Sequence, residues 1–423
     1  MRKAILPHFT PLIRLSFVLT ASIVTTKYCY GYIHTLQWLT LALGCFFTCL
    51  LKTSNNKGWL QSFTIYTCVF FVGGLDTSHA IDQQELKAES AEIITQEDLS
   101  PLDHAFLAAK ACQFQLKKDM QNLGIKDQNY AVITAMTLGD KTSLDQETKD
   151  IYSISGASHV LAISGLHIGI IFQLFVLAFG GRKRRSVGTV LLSLTAIWAY
   201  VFFIGFPASA VRSATMISIC SFALLAHRDA ISFNNLAFAY CAMLIIHPLY
   251  LFDISFQMSF LAIGFILLLM PIFTKALTIR SKWLRWTYNM LCLSIAAQIG
   301  TAPIIAYYFG RFSCYSLLTS FIAIPAATLI LYLSASLLLL TVASSLFHTA
   351  CLPWLEWVQQ LFMALTEWTS SCLTTITQAC NTALQLSTLL PGASIDGIKI
   401  NIPQLCLIYF GIIAGYVLIK KIR

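Results

Sequence analysis

Charged residues are scarce in this chain of 423 residues: Asp, Glu, Lys and Arg make up 11% of it, whereas hydrophobic residues make up 57%. A soluble domain carries about 25% charged residues, so this composition indicates an integral membrane protein. Apolar runs long enough to cross a bilayer core of about 30 Å recur along most of the sequence. The ten-residue alternating segments of membrane β-barrels are lacking. The expected fold is an all-α polytopic bundle of about 11–12 transmembrane helices, some of them broken or interfacial.

Several motifs with a chemical signature are also lacking. The thirteen cysteines are scattered through apolar runs and no two form a C-x-x-C pair, so we expect buried hydrophobic side chains rather than a disulfide framework. The sequence contains no HExxH motif and no nucleotide-binding loop. We therefore expect no metal site and no cofactor.

Twelve apolar segments are candidate spans, and the basic residues between them predict their orientation. Short loops rich in Lys and Arg, such as Arg182–Arg185 and Lys420–Arg423, stay in the cytoplasm by the positive-inside rule, which places both termini inside. Residues 76–150, with a net charge of −7, then lie outside. Topology accounts for the basic loops, so they are no evidence of nucleic-acid binding. The spans are Leu12–Gly31, Leu36–Leu51, Trp59–Leu75, His159–Gly180, Val187–Gly205, Pro207–Ala226, Ser232–Leu251, Ile254–Thr274, Trp286–Tyr307, Cys314–Val342, Trp354–Ile376 and Ile402–Ile419.

Three regions follow from this pattern. Residues 1–75 form an N-terminal three-span region, residues 76–129 a short acidic exterior segment, and residues 130–423 a membrane domain. The segment Trp354–Ile376 contains Glu356 and Glu367, which suit either a crossing or a helix along the membrane interface. The polar residues 103–122 have the composition of an exterior amphipathic helix.

The stretch ASHVLAISGLHIGII, residues 157–171, places His159, Ser164 and His167 among apolar residues. Polar groups inside a membrane are costly and therefore mark a candidate functional site. Ser164 and His167 are spaced for one helix face, as in a nucleophile pair of an intramembrane hydrolase. Hydrogen bonding between helices is the favoured alternative, because no orienting acid or oxyanion donor is identifiable. The two histidines, about 12 Å apart on a helix, are too distant to share one metal ion.

Small residues predict close packing of the same helix. One stripe spans an arc of roughly 60° and includes a GxxxG pair, which would let a neighbouring helix approach closely. The stripe consists of Ser158, Ala162, Gly165 and Gly169.

Three further segments carry polar or helix-breaking residues. In GFPASAVRSATM, Pro207 suits the first turn of a helix, and Arg212 shares a face with Ser209. Arg212 would bind a phosphate backbone or a carboxylate, or would form an ion pair with Asp253. In HPLYLFDISFQMSFLAIGF, polar residues begin a span: Asp253, Ser255, Gln257 and Ser259. In QIGTAP and FIAIPAATL, Pro303 and Pro325 predict broken helices, which are tolerated at membrane depth only inside protein or along a water-filled path.

Together these segments resemble the ComEC competence family, membrane proteins of DNA uptake during natural transformation. AMTLGDKTSLDQETKDIYSISGASHVLAISGLHIGII is similar to the family's opening motif, a GD turn followed by an SHLLAISGLH-type sequence. GFPASAVRSATM resembles its small-Pro-small-Arg segment, and FDISFQMSFLAIG its aspartate and Phe-Gln-x-Ser-Phe motif. TAPIIAYYFGRFSCYSLLTSFIAIP resembles its paired proline segment. The resemblance covers roughly residues 130–420 in the family's order.

The resemblance implies an inner-membrane channel component that carries single-stranded DNA into the cytoplasm and is not an enzyme. Its partners would be single-stranded DNA, the lipid bilayer, a DNA-delivery protein outside and a cytoplasmic motor or helicase, and a homo-oligomer is left open. A membrane-embedded hydrolase using Ser164 and His167, or a permease for another solute, remains an alternative. The implied path or motif residues are Gly139, Asp140, His159, Ser164, Gly165, His167, Gly169, Pro207, Ser209, Arg212, Asp253, Gln257, Ser259, Pro303 and Pro325.

Two features differ from the family pattern. Family members commonly carry an exterior OB-fold, but the segment Asp76–Asn129 is short for a five-stranded barrel and shows no β periodicity. They often carry a metallo-β-lactamase-like domain as well, whose HxHxDH-type ligands are not found in this sequence. We therefore expect a truncated form without either module. Residues 76–150, with their net charge of −7, would repel a polyanion, so another protein would have to deliver the strand.

Overall fold

A computed structural model describes residues 11–30, 32–33, 35–51, 58–90, 101–180, 186–226, 232–277, 279–349 and 356–422. These residues form fifteen α-helices, which confirms the predicted all-α fold. The helices are α1 (Pro11–Cys29), α2 (Thr35–Leu51), α3 (Gly58–Ser90), α4 (Pro101–Asn122), α5 (Asp127–Leu138), α6 (Gln146–Ile154), α7 (Gly165–Gly180), α8 (Val187–Phe203), α9 (Ala208–Leu225), α10 (Phe233–Ile246), α11 (Ile254–Ala276), α12 (Lys282–Phe309), α13 (Ser316–Thr349), α14 (Glu356–Thr388) and α15 (Ile402–Ile422). A 3₁₀ helix, Pro248–Phe252, precedes α11, and strands β1 (Arg311–Ser313) and β2 (Ser394–Asp396) pair antiparallel.

Each of the twelve predicted spans overlaps a described helix, although in the span predicted from His159 the helix begins only at Gly165. Six of the described helices are long and apolar enough to cross a membrane, namely α1, α9, α11, α12, α13 and α15. Three shorter apolar helices, α7, α8 and α10, also match predicted spans. The protein is therefore a multi-pass membrane protein. The basic loop Arg182–Arg185 and the residues before Pro11 lie outside the described residues, and the orientation of the termini stays a prediction.

The helix α14 occupies the ambiguous segment Trp354–Ile376, although Trp354 itself lies outside the described residues. The helix is 33 residues long and is not among the six that are apolar enough to span. It packs along α13 and also contacts α5 and α6, whereas Trp357 and Trp368 are exposed. Six of its small polar side chains are buried, namely Thr366, Thr369, Ser370, Thr377, Asn381 and Ser387.

The chain divides into two compact units, and each draws on separate stretches of sequence. The first unit contains Met1–Asp98, Phe222–Pro271 and Cys406–Arg423, which bring α1, α2, α3, α10 and most of α11 and α15 together. The second unit contains Leu99–Ser221 and Ile272–Leu405, which hold most of α9, the remaining helices and both strands. The GD turn, the Ser164–His167 segment and Arg212 all belong to the second unit.

In the first unit, two adjacent glycines on α3 allow two helices to pack closely against it. A Cβ atom on Gly73 would lie 2.8 Å from Leu19 Cδ1 of α1, and one on Gly74 would overlap the Trp38 ring of α2. The α1 hydroxyl of Ser22 donates to the carbonyl of Phe70 at the same level. Backbone contact this close is typical of membrane helices that pack through small residues.

In the second unit, α5 is the most buried helix: all residues from Ala131 to Leu138 are buried. Its side chains share a core with residues of α13 and α14, including Ala327 and Leu384. Two hydrogen bonds reinforce this core, a buried one from Tyr152 Oη to Asn381 Oδ1 (2.7 Å) and a partly buried one from Asn381 Nδ2 to Asn129 Oδ1 (3.2 Å). Ala157, Val160 and Leu161, in the segment that leads to α7, belong to the same core.

The helix breaks predicted at QIGTAP and FIAIPAATL do not occur. Pro303 lies inside the continuous helix α12, and Pro325 lies inside α13. A proline removes one backbone donor, but a membrane helix can continue when neighbouring groups satisfy the freed carbonyl. Pro303 is buried against other helices, so packing holds the helix together there.

Candidate functional site

The GD turn closes the end of α5 and has a clear local role. Gly139 adopts a left-handed conformation (φ 74°) as the helix C-cap. Asp140 Oδ1 then accepts from the backbone N–H of Thr142 (2.9 Å) and from its hydroxyl (2.7 Å), and Oδ2 forms an ion pair with Lys117 of α4. Burial alone would raise the pKa of Asp140, but the bonds from Lys117 and Thr142 outweigh it and lower the pKa to about 2.

Ser155 and Gly156 begin a non-helical connection between α6 and α7. Gly156 has a positive φ of 78°, and a Cβ there would lie 2.6 Å from Ser316 Cβ. Ser155 is fixed from the other side because Thr319 of α13 donates to its carbonyl oxygen (2.7 Å). Arg311 of β1 makes a third contact with this region by donating to Ser153 Oγ (3.2 Å), and it also forms an ion pair with Asp396 of β2.

The helix containing His167 begins later than predicted. Residues 158–164 form turns and bends, and α7 starts at Gly165. Ser158 and Ala162 therefore do not share a helix face with Gly165, and the predicted stripe of four small residues is wrong. Gly165 does approach another helix, since a Cβ there would lie 3.2 Å from Ser213 Oγ of α9, but nothing lies within 4 Å of one at Gly169.

Ser164 and His167 form a capping box at the first turn of α7. The Ser164 hydroxyl accepts from the backbone N–H of His167 (3.5 Å), and the Ser164 N–H donates to His167 Nδ1 (3.3 Å). This is the reciprocal pattern of Ser at the N-cap with Glu or Gln three residues later, here with His in the third position. It explains why the helix begins at Gly165. The hydroxyl is engaged with the backbone and not with the imidazole.

The two histidines differ in their surroundings. His159 is exposed at the turn before α7, whereas His167 is fully buried. The Nε2 atom of His167 has no hydrogen-bond partner among the described residues. The earlier distance of about 12 Å assumed one continuous helix and does not apply, since His159 precedes the helix.

Arg212 lies in the fifth position of α9 with a relative exposure of 2%, the largest fully buried side chain in the described part of the chain. Its helix begins directly after Pro207, whose carbonyl accepts from Ala210 and Val211, so Pro207 occupies the N-cap rather than the first turn. Ser209 accepts through its carbonyl from the Ser213 hydroxyl (2.8 Å). Because Ser213 faces Gly165, the Arg212 turn of α9 packs beside the first turn of α7.

The aspartate motif of α11 belongs to the first unit, and its polar groups form local bonds. Asp253 is the N-cap residue, with Oδ1 accepting from the Phe256 N–H (2.9 Å). Gln257 Nε2 donates to the carbonyl of Leu251 (2.8 Å), and Ser259 donates to that of Ser255 (2.8 Å). The predicted ion pair between Arg212 and Asp253 stays a prediction.

Sequence reasoning missed three contributors to this region: Lys117, Arg311 and the pair Asn129–Asn381. Lys117 and Arg311 lie far along the chain from the residues they bind, so no local pattern marks them. Asn381 could have been noticed, since it is a polar residue within an amphipathic helix and buried polar groups need hydrogen-bond partners, here Tyr152 and Asn129.

Comparison with known proteins gives this arrangement a family. The family model described as "Competence protein" matches residues 136–421, which is more than half of the chain, and the protein belongs to the ComEC competence family. The matched region includes the GD turn, the capped helix α7, the arginine of α9 and the aspartate motif of α11. No solved structure matches.

Three relatives illustrate the similarity. The chain is 28% identical over 245 residues to ComE operon protein 3 of Bacillus subtilis, which covers 56% of this chain and 30% of that protein. It is 25% identical over 243 residues to Recombination protein 2 of Haemophilus influenzae, and the match covers 54% of this chain and 30% of that protein. An uncharacterized protein of Aquifex aeolicus is 28% identical over 186 residues, covering 44% and 42%. Each match thus spans less than half the length of the relative.

Proposed function

We propose that this protein is a channel component of the cell inner membrane that carries single-stranded DNA into the cytoplasm during natural transformation. The observation that carries the proposal is the family match over residues 136–421, together with relatives named for a competence operon and for recombination. A multi-pass helical fold suits a role in transport across the membrane.

Arg212 is the residue most suited to contact the phosphate backbone of the strand. A buried guanidinium in an apolar membrane helix is costly and usually serves a pathway or a binding site. The buried Nε2 of His167, without a hydrogen-bond partner among the described residues, lies on the neighbouring helix start and supports the same assignment. The exposed turn with His159 adds to the proposed path residues of the second unit. The polar start of α11 belongs to the first unit and is proposed as a path segment in its own right.

Accessory proteins would act on either side of this channel. Residues 76–150 carry a net charge of −7 and would not attract a polyanion, so a separate protein is proposed to deliver the strand outside. Because the sequence contains no nucleotide-binding loop, a separate cytoplasmic motor or helicase is proposed to pull the strand inward.

The hydrolase alternative has no geometric support at Ser164. A nucleophilic serine donates its hydroxyl proton to a neighbouring base. Here the His167 Nδ1 atom accepts from the Ser164 backbone, and the Ser164 hydroxyl accepts from the His167 backbone. Helix capping therefore explains why Ser164 and His167 lie three positions apart, and no nucleophilic role is needed.

The test is deletion of the gene, followed by complementation with Arg212→Gln, Arg212→Lys and the control Arg285→Gln. Arg285 is an exposed cation near the start of α12, so its loss removes a charge without touching the buried site. We expect deletion to abolish transformation and entry of labelled DNA into the cytoplasm. Arg212→Gln should lower both by about tenfold or more, and Arg212→Lys less, since Lys keeps the charge but loses the planar fork.

Membrane levels of each variant are measured in parallel, so that loss of transport at normal protein level is distinguished from loss of the protein. If the deletion strain took up DNA and transformed at the parental frequency, the proposed function would be wrong.

A further inference from the structure

The helix α4 presents an apolar stripe that no described residue covers. Leu107, Ala111 and Phe114 lie three or four positions apart and share one face. Leu107 is 49% exposed and Phe114 is 71% exposed. The opposite face packs on the second unit, where Met120 joins the core around α5. The stripe is therefore the outer side of a helix whose inner side is fixed.

The N-terminal half of α4 lies across the end of the apolar helix α8. The Phe106 ring meets that of Phe202 edge-on, with centroids 6.5 Å apart, and Gln113 donates to the carbonyl of Phe203. The end of an apolar helix in a membrane protein marks the boundary between hydrocarbon and water. α4 is thus held at the level where lipid headgroups lie.

A second observation at the same place points to an apolar environment. Phe206, just beyond the end of α8, has a positive φ of 53°, which is costly for a residue with a Cβ. Its ring is nevertheless 49% exposed and contacts Phe202, with centroids 5.7 Å apart. A strained backbone that holds an aromatic ring outward makes sense where the ring meets lipid rather than water.

Basic side chains border the stripe. Lys110 and Lys118 are exposed on either side of Phe114, and Lys110 reaches over the Phe106 ring at 4.8 Å. The acidic Asp119 is turned away from the stripe and accepts from Gln115, while Asp103 sits in the first turn, where it favours the helix dipole. An apolar stripe edged by Lys is the pattern of a helix that lies in a membrane surface.

We propose that α4 lies along the membrane surface, with Leu107 and Phe114 inserted below the headgroups, Phe206 at the same level, and Lys110 and Lys118 on the phosphates of anionic lipids. The occupant of this exposed stripe is the lipid bilayer. The helix then fixes the turn between α8 and α9, the element that begins the Arg212 helix, relative to the membrane.

The experiment uses the full-length protein in lipid nanodiscs, with a fluorescent noncanonical amino acid placed singly at position 107, 114 or 108. This probe avoids the thirteen native cysteines. Ala108 is the matched control because it is exposed at the same height of the helix but on the polar side of the stripe. Quenching is measured with lipids brominated near the top of the acyl chain and with iodide in the water.

At positions 107 and 114 we expect at least about twofold more quenching by brominated lipid than at 108, with the reverse order for iodide. In nanodiscs with anionic lipid the lipid quenching should rise, and Lys110→Gln with Lys118→Gln should remove that rise. Stronger iodide quenching at 107 and 114 would place the stripe in water and overturn the proposal. Protection from both quenchers would overturn it too, since the stripe would then be covered by protein.

Discussion

At the residue scale, Ser164 and His167 exchange two hydrogen bonds across the first turn of α7, and this exchange gives both side chains a structural task. Gln in the third position of a helix can reach back in the same way as His, whereas Ala at the N-cap cannot accept the bond. Substitutions at these two positions can therefore distinguish a role in helix capping from a role in catalysis.

Ser164→Ala should lower the free energy of unfolding by about 0.5–2 kcal/mol, because one backbone donor of α7 loses its acceptor. His167→Gln should keep most of the free energy of unfolding, since the Gln amide oxygen can accept from the Ser164 N–H in place of His167 Nδ1. Both are measured by thermal unfolding in detergent and by transformation frequency. A well-folded His167→Gln protein that loses all DNA uptake would show that the imidazole does more than cap the helix.

Asp140 makes stability depend on pH in the acid range. Its pKa in the folded protein is lowered to about 2 from the ordinary 3.8, so the folded state favours the carboxylate. Its contribution is complete above pH 3.8 and is lost as the pH falls through 2. Asp140→Asn should remove about 1–2 kcal/mol at pH 7, after allowance for partial exposure.

The matched control for Asp140 is Asp150→Asn, which removes an exposed carboxylate that accepts from Gln146 within its own helix. Unfolding is followed at pH 7 and at several values down to pH 3. An equal loss in the two variants at pH 7 would contradict a special role for the bond to Lys117.

At the element scale, the glycine pair of α3 decides how closely the first three helices pack. Gly73 and Gly74 are neighbours in sequence and so face about 100° apart on the helix, one toward α1 and the other toward α2. By contrast, the GxxxG pair in α7 looks equally suited to close packing in the sequence, but a Cβ added at Gly169 would have none of the described neighbouring atoms within 4 Å. A small-residue pattern shows that close approach is allowed, and only the structure shows where it happens.

Gly74→Ala should destabilise the protein by about 1–3 kcal/mol, because the new methyl group would overlap the Trp38 ring. Gly169→Ala is the control: it adds a methyl group to open space and should be neutral or slightly stabilising through helix propensity. Both are compared by thermal unfolding of the purified protein. A neutral Gly74→Ala variant would mean that α2 can move away from α3 at little cost.

The helices themselves could be predicted because membrane spans are apolar over about 20 residues, a strong local signal. Their ends depend on single residues, and there prediction was less accurate. The start of α7 required the capping box at Ser164, and the continuity of α12 through Pro303 required knowledge of its packing. Neither the start of α7 nor the continuity of α12 can be predicted from the average hydrophobicity of a sequence segment.

At the whole-molecule scale, the two units could not have been predicted, because each is assembled from distant stretches of chain. The candidate site was found in sequence through its motifs, since polar residues in apolar runs are conspicuous. The residues that hold this site in place could not be found in the same way. Lys117 binds Asp140, and Thr319 binds Ser155, and these partners are too far apart in the sequence to form a periodic pattern. Sequence thus indicates which residues matter, and structure indicates how they are held.

The discontinuity of the first unit has a consequence for how the protein is made. Helices α1 to α3 leave the ribosome well before α10 and α11, which join them, and α15 follows last. At a synthesis rate of about 5–20 residues per second, the early helices wait on the order of ten seconds for α10. During that interval the contact of Thr20 with Tyr240 cannot form, and lipid or the insertion machinery must shelter the exposed face of α1. During synthesis of this protein, α1 therefore has to be kept from aggregating until α10 has been inserted.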